Sequence, residues 1–169
     1  MDSQKLEGGA YGGVEELYRE VILDHFKSPK NKGRLSPSNA EGEGLNPLCG
    51  DQIHITAFIE NEKLKDLRFD GHGCAISQAA ASMMTDAIKG KSLDEVGALS
   101  VSFKKIFGIE EKNNMASRFK LEDLGDAVAL EGVKKYPVRI KCALLSWNTL
   151  LELIENFKKR SEVKYDTSQ

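Results

Sequence analysis

This 169-residue chain contains three cysteines, which are its best candidates for metal binding or catalysis. They are Cys49, Cys74 and Cys142. Each lies at the predicted boundary of an element: Cys49 in a loop before a strand, Cys74 at the start of a helix, and Cys142 in the first turns of the last helix. Loops on a rigid scaffold present functional groups, and a helix N-terminus stabilises a thiolate. The placement favours metal ligands or nucleophiles. Three unrelated buried thiols are the alternative, because free cysteine is often buried.

Asp51 strengthens the case for a metal site. It follows Cys49 by two residues, with Gly50 between them. Side chains two apart in an extended segment point to the same side, so the thiolate and the carboxylate can reach one ion. With Cys74 and Cys142 they form a four-ligand set of the kind that suits tetrahedral Zn²⁺. The sequence contains no local Cys-x-x-Cys pair, and an ordinary turn residue is the alternative interpretation of Asp51.

The three histidines are weaker candidates. We expect His25, at the edge of an amphipathic helix, to be structural, and His54, on the second face of a strand, to be packed or solvated. His72, two residues before Cys74, is the most credible spare ligand or proton carrier. A Cys-His-Asp protease is formally possible, but no base is marked beside any cysteine. The sequence has no phosphate loop, nucleophile elbow or His-Glu-x-x-His pair.

The elements that must position these side chains follow from hydrophobic periodicity. Helical spacing predicts four helices, and alternation of apolar residues predicts a two-stranded antiparallel hairpin. The glycine- and proline-containing segment 36–48 is predicted to be a loop, and 110–132 is less regular. The predicted helices span 14–28, 75–89, 92–107 and 137–159, and the predicted strands span 53–59 and 64–70.

Length and composition predict one domain over 14–160, with flexible tails over 1–13 and 161–169. The 24 basic residues nearly balance the 26 acidic ones, so neither nucleic acid nor an anionic membrane is an expected partner. No apolar run approaches the roughly 20 residues of a membrane-spanning helix, and we expect no signal peptide. The odd number of cysteines then favours reduced thiols in the cytoplasm.

A small basic cluster follows the first predicted helix. Exposed charge usually only solvates a loop, and a docking surface for an acidic partner is the alternative. The cluster consists of Lys27, Lys30, Lys32 and Arg34.

Several motifs resemble those of the IscU/NifU-type iron–sulfur cluster assembly proteins. Residues 23–33 are similar to the family's opening, Asn46-Pro47-Leu48-Cys49-Gly50-Asp51 matches its first-cysteine motif, and Gly73-Cys74-Ala75-Ile76-Ser77 matches its second. Cys142 takes the third place. Lys141 stands where the scaffold branch carries a histidine, and the segment between the second and third cysteines is longer. The chain therefore looks most like the SufU branch of Gram-positive bacteria.

The resemblance implies an α+β fold in which a small antiparallel sheet is covered by several helices. It also implies Zn²⁺ held by Cys49, Asp51, Cys74 and Cys142. The implied activity is that of a zinc-dependent sulfurtransferase. Cys49 accepts persulfide sulfur from a cysteine desulfurase, a pyridoxal-phosphate enzyme, after a desulfurase histidine replaces it on the metal. Downstream iron–sulfur assembly proteins are the further partners.

Arg139 completes the candidate site. It lies three residues before Cys142 and hence on the same helix face, where it either steadies Asp51 or the leaving thiolate or simply covers surface. Two other functions use the same ligands. One is a scaffold on which an iron–sulfur cluster is built, with thiolates as iron ligands. The other is a zinc-stabilised interaction module without a reactive thiol.

Overall fold

A computed structural model describes residues 3–112 and 119–167, and the side chains of 15–112 and 119–163. The three strands form one antiparallel sheet in the order β1-β2-β3, and helices cover it. This confirms the α+β fold. In chain order the elements are α1 (Ser3–Lys27), β1 (Ala40–Asn46), β2 (Asp51–Glu60), β3 (Lys63–His72), α2 (Ala75–Ile88), α3 (Leu93–Ile106), a 3₁₀ segment (Leu121–Lys135) and α4 (Pro137–Thr167).

The β2–β3 hairpin is present as predicted. Its two strands pair antiparallel, with Ile55 opposite Phe69 and Ala57 opposite Leu67. These four side chains are fully buried and belong to one hydrophobic core with α2 and α4. Alternation of apolar residues therefore predicts both strands, although β2 also buries His54 and Thr56 on its other face.

Strand β1 differs from the predicted loop over 36–48. It pairs with β2 along its whole length, from Ala40 opposite Ala57 to Asn46 opposite Asp51. Its interior glycines, Gly42 and Gly44, lie directly against α4. An added Cβ would lie 3.2 Å from Leu153 Cβ at Gly42 and would overlap Thr149 Oγ1 at Gly44. Glycine in a strand interior marks such a close approach. Because these glycines have no side chains, β1 lacks the alternation of apolar and polar residues that predicts a strand.

Helix α1 ends at Lys27, close to the predicted end, but begins at Ser3 rather than near Val14. Helix α4 likewise continues to Thr167, beyond the predicted end near Lys159. The proposed flexibility of 1–13 and 161–169 stays a prediction. Two apolar residues of α1, Leu17 and Phe26, are exposed by 57% and 42%, although the helical spacing of apolar residues predicts that this helix buries them.

His25 is buried, in agreement with its predicted structural role. Its Nδ1 lies 2.7 Å from Ser82 Oγ on α2, and its Nε2 lies 2.8 Å from Asp126 Oδ2 in the 3₁₀ segment. The imidazole thus joins three elements by hydrogen bonds.

The remaining helices agree with their sequence signals. Ser92 caps α3 by accepting the Glu95 N–H at 3.1 Å. Helix α4 begins at Pro137, and its buried Trp147 stacks on Phe103 with ring centroids 5.0 Å apart. The irregular segment contains the 3₁₀ turns, which are interrupted at Gly125 (φ 57°). No helix in the described ranges is both long and apolar enough to span a membrane.

The basic cluster makes specific contacts with the rest of the fold. Lys30 lies 3.3 Å from Asp86 of α2. The Lys32 ammonium donates to the Gly71 carbonyl at 3.3 Å and to Gln78 Oε1 at 3.1 Å. These two lysines therefore help to tie the segment after α1 to α2 and to the end of β3.

Candidate metal centre

Cys49 lies in the tight turn that joins β1 to β2. Asn46 and Asp51 form the last residue pair of the two strands, and the Cys49 N–H donates to the Asn46 carbonyl at 3.3 Å. Gly50 takes a φ of 66°, which glycine adopts without the steric cost that other residues carry. The turn leaves Cys49 half-buried, at the surface end of the site.

Cys74 occupies the N-cap of α2. Its sulfur accepts the Ser77 backbone N–H at 3.5 Å, in the position where a capping oxygen usually lies. The helix N-terminus carries partial positive charge. The Cys74 sulfur therefore lies at the positive end of α2.

Asp51 is the most extensively hydrogen-bonded member of the site and is only 2% exposed. Its Oδ1 accepts the Cys74 N–H at 2.8 Å and the Ser77 hydroxyl at 3.0 Å. Its Oδ2 accepts the Asn46 amide at 3.2 Å. Burial opposes ionisation, but hydrogen bonds from the Cys74 backbone, Cys142 and Ser77 outweigh it and lower the pKa of the Asp51 carboxyl.

Cys142 reaches the site from the second turn of α4 and is fully buried. Its sulfur lies 3.1 Å from the sulfur of Cys49 and 3.4 Å from the Asn46 amide nitrogen. Burial, followed by hydrogen bonds with Cys49 and Asp51, raises the pKa of the Cys142 thiol. Without a cation, this site keeps the Cys142 proton.

The structure brings three of the four predicted ligands into one group. One ligand atom each from Cys49, Asp51 and Cys142 lies within 4.8 Å of the other two. Cys74 is outside this group but adjoins it through its N–H bond to Asp51. His72 is exposed at the end of β3, outside the group. Two thiols and a carboxylate around one point, with a third thiol beside them, form a donor set that fits zinc.

Arg139 lies on the open side of the group. Its Nη1 donates to Cys49 Sγ at 3.7 Å, and the guanidinium is exposed. Interaction with the cysteine sulfurs, first that of Cys142 and then those of Cys49 and Cys74, raises the pKa of Arg139. The structure places the Arg139 guanidinium against the Cys49 sulfur, and its role in steadying the leaving thiolate stays a prediction.

Sequence reasoning missed the residues that support the ligands. Asn46 and Ser77 are buried donors to Asp51. Gly73 leaves the space that the Asp51 carboxylate fills, because a Cβ there would lie 2.5 Å from Asp51 Oδ1 and 2.6 Å from Ser77 Oγ. All three lie within the cysteine motifs. Their position beside the ligands was the only sequence signal of a supporting role.

One known protein family accounts for both the fold and the cysteine motifs of this chain. The model of the NifU-like N terminal domain matches residues 17–143 and so includes all three cysteines. The chain belongs to the NifU-like N-terminal domain family. The tight turn with Cys49 and Asp51, the N-cap of α2 and the start of α4 are therefore parts of a NifU-like domain.

Relatives of this NifU-like domain carry two kinds of name. The chain is 44% identical over 137 residues to the "Zinc-dependent sulfurtransferase SufU" of Bacillus subtilis, covering 81% of this chain and 88% of that protein. It is 39% identical over 160 residues to the "Iron-sulfur cluster assembly scaffold protein IscU" of Streptococcus pyogenes serotype M1, covering 95% and 94%. The fold is also similar to a crystal structure of a hypothetical protein, with a TM-score of 0.72 and 42% sequence identity. The alignment covers 83% of this chain and 98% of that protein's chain.

Proposed function

We propose that this chain is a zinc-dependent sulfurtransferase of iron–sulfur cluster assembly, which accepts sulfur on Cys49 from a cysteine desulfurase. The observation that carries the proposal is an asymmetry among the ligand residues. Asp51 and Cys142 are buried and share the Asn46 amide. Cys49 lies half-buried in a turn, beside the exposed Arg139. Within the group of Cys49, Asp51 and Cys142, Cys49 is thus the accessible ligand and the other two are fixed. Cys74 is also half-buried, but its sulfur is engaged by the Ser77 N–H at the N-cap of α2.

The residues that would hold zinc are Cys49, Asp51, Cys74 and Cys142. A bound zinc ion keeps coordinating thiols deprotonated at neutral pH. Zinc would therefore displace the proton of Cys142, although burial raises the pKa of that thiol. The name of the Bacillus subtilis relative supports zinc as the metal.

The transfer step uses the Cys49 sulfur as the nucleophile. Its thiolate attacks the outer sulfur of a persulfide on the desulfurase. A new sulfur–sulfur bond forms on Cys49, the sulfur–sulfur bond of the donor breaks, and the donor cysteine leaves as a thiolate. The proton of the outer sulfur stays with it, so the step needs no external oxidant or reductant.

Arg139 is the catalytic residue that we assign beside Cys49. Its guanidinium reaches the Cys49 sulfur from the exposed side of the site, where the donor must approach. A permanently charged donor stabilises the Cys49 thiolate before attack and the negative charge that passes to the donor cysteine as it leaves. We expect its loss to slow transfer without removing the metal.

Exposed apolar side chains close in sequence to the site residues support docking of a protein donor. We call Leu45, Leu48, Tyr136 and Val138 the apolar rim, and they are exposed by 61–70%. Leu48 precedes Cys49 and Val138 precedes Arg139 in the chain. Exposed apolar patches mark protein–protein contact sites, so the rim suits the desulfurase that delivers the sulfur.

A scaffold for cluster assembly is the second candidate, because the Streptococcus pyogenes relative carries that name over nearly the whole chain. The two functions share every ligand. Lys141, in place of the histidine that precedes the third cysteine in the scaffold branch, favours the sulfurtransferase.

Turnover of the desulfurase with free cysteine tests the proposal. We expect the wild-type chain to accelerate turnover, Cys49→Ala to abolish the acceleration, and Arg139→Ala to reduce it. Arg160→Ala is the matched control, because Arg160 is an exposed arginine farther along the same helix. Acceleration by Cys49→Ala equal to that of the wild type would refute the proposal.

A further inference from the structure

Asn46, the last residue of β1, contacts three of the four proposed ligand residues. Its carbonyl accepts the Cys49 N–H at 3.3 Å. Its side-chain Nδ2 donates to Asp51 Oδ2 at 3.2 Å and to Cys142 Sγ at 3.4 Å. The residue is only 6% exposed. Asn46 therefore connects the start of β2 to the start of α4 through its buried side-chain amide, and it reaches the Cys49 turn through its main-chain carbonyl.

The two side-chain bonds of Asn46 join a carboxylate to a sulfur. Both acceptors carry negative charge when they bind a metal, and hydrogen bonds to charged acceptors are stronger than neutral ones. Groups of this kind orient metal ligands and tune their affinity. The Cys49 sulfur, in contrast, contacts Arg139 at the exposed side and the Cys142 sulfur, but receives no bond from the Asn46 amide. The buried amide thus acts on the two fixed ligands and does not restrain the Cys49 sulfur.

We propose that Asn46 is a positioning residue that holds Asp51 and Cys142 as a fixed pair, so that the pair retains the metal while Cys49 is away. The movement of Cys49 rests on the proposed function. The fixed pair itself follows from the contacts of Asn46 and is tested by metal binding alone.

Asn39 provides a matched control at the other end of β1. It immediately precedes that strand, and its side chain also bonds to β2, with Nδ2 donating to the Ile59 carbonyl at 2.7 Å and Oδ1 accepting the Ile59 N–H at 2.8 Å. Asn39→Ala therefore removes two asparagine hydrogen bonds from the same strand pair without touching the metal centre.

The first test measures zinc affinity by chelator competition in a Cys49→Ala background, which represents the site with Cys49 away. We expect Cys49→Ala/Asn46→Ala to bind zinc about 10–100-fold more weakly than Cys49→Ala/Asn39→Ala. The Co²⁺ absorption spectrum should change only in the Asn46 variant. Equal zinc affinities in the two variants would overturn the inference.

A double-mutant cycle separates positioning from a general loss of structure. If Asn46 acts by holding the pair, Asn46→Ala should weaken zinc binding much less in an Asp51→Ala background than in the wild type. If Asn46→Ala lowers zinc affinity by the same factor in both backgrounds, the inference is overturned. Asn46→Ser, whose hydroxyl is too short to reach both acceptors, serves if the alanine variant does not fold.

The outcome also distinguishes this inference from the proposed function. Sulfur on Cys49 together with equal zinc affinities would overturn the role of Asn46 alone. Absence of zinc binding by the wild-type chain would count against both.

Discussion

The sulfur atoms of Cys49 and Cys142 lie 3.1 Å apart, although the two residues are 93 positions apart in the chain. The turn between β1 and β2 supplies one sulfur and α4 supplies the other. A contact between two thiols of such different origin, beside a buried carboxylate, is the geometric core of the proposed metal centre.

The first expectation concerns the metal. The isolated protein should hold about one zinc ion, as a closed four-ligand site implies, and Cys142→Ser should lose it. Because zinc binds the folded chain, its removal should cost about 4 kcal/mol when free zinc exceeds Kd about 1,000-fold. This corresponds to a Tm loss of roughly 8–16 °C for a chain of this size. Elemental analysis and calorimetry before and after chelation measure both. A bound 2Fe–2S cluster with stoichiometric sulfide would favour the scaffold instead.

The stability of the metal-free chain should depend on pH through Cys142. Its pKa is raised in the folded state, first by burial and then by hydrogen bonds with Cys49 and Asp51. The contribution of the neutral thiol is therefore fully present below the unfolded pKa of about 8.5 and is lost as pH rises towards the folded pKa. Denaturant unfolding across this range should show a steeper loss for the metal-free wild type than for Cys142→Ser. Parallel curves would contradict this account.

Gly73→Ala should displace the Asp51 carboxylate, because the new Cβ would lie 2.5 Å from Asp51 Oδ1. We expect zinc affinity to fall by about 10–100-fold, as measured by chelator competition. Gly97→Ala in α3 is the control, since a Cβ at Gly97 meets nothing within 4 Å. That change should leave zinc affinity unchanged and add about 0.5–1 kcal/mol of stability. Wild-type zinc affinity in Gly73→Ala would mean that Asp51 can move without cost.

The apolar rim should govern association with the desulfurase. Leu48→Asp places a charge beside Cys49 and should raise, by tenfold or more, the concentration of chain that gives half-maximal acceleration of the desulfurase. This corresponds to a loss of about 1.4 kcal/mol or more. Zinc content should stay at the wild-type level. Leu17→Asp, at an exposed leucine on α1, is the control. Equal effects of the two substitutions would place the docking surface elsewhere.

Much of the fold is predictable because its signals are local. Alternating apolar residues mark β2 and β3, Ser92 with Glu95 marks the start of α3, and Pro137 marks the start of α4. Strand β1 has no such signal, because Gly42 and Gly44 remove the side chains that alternation would need. These two glycines allow α4 to pack closely on β1, and only the folded structure shows this contact.

The candidate metal centre is likewise predictable only in part from the sequence. Placement of the cysteines at element boundaries, together with Asp51, predicts a common ion before any contact is known. The roles of Asn46 and Ser77 depend on contacts across the fold, such as the 3.4 Å approach of the Asn46 amide to Cys142. Polar residues next to a motif give no sequence signal for such contacts.

The most direct test of the account is to map the sulfur atom that a cysteine desulfurase transfers to this chain. The purified zinc form is incubated with desulfurase and ³⁴S-cysteine, and persulfides are located by peptide mass spectrometry. The account predicts one added sulfur, on Cys49, with Cys74 and Cys142 unmodified. Labelled persulfide on Cys74 or Cys142, with Cys49 unmodified, would contradict it.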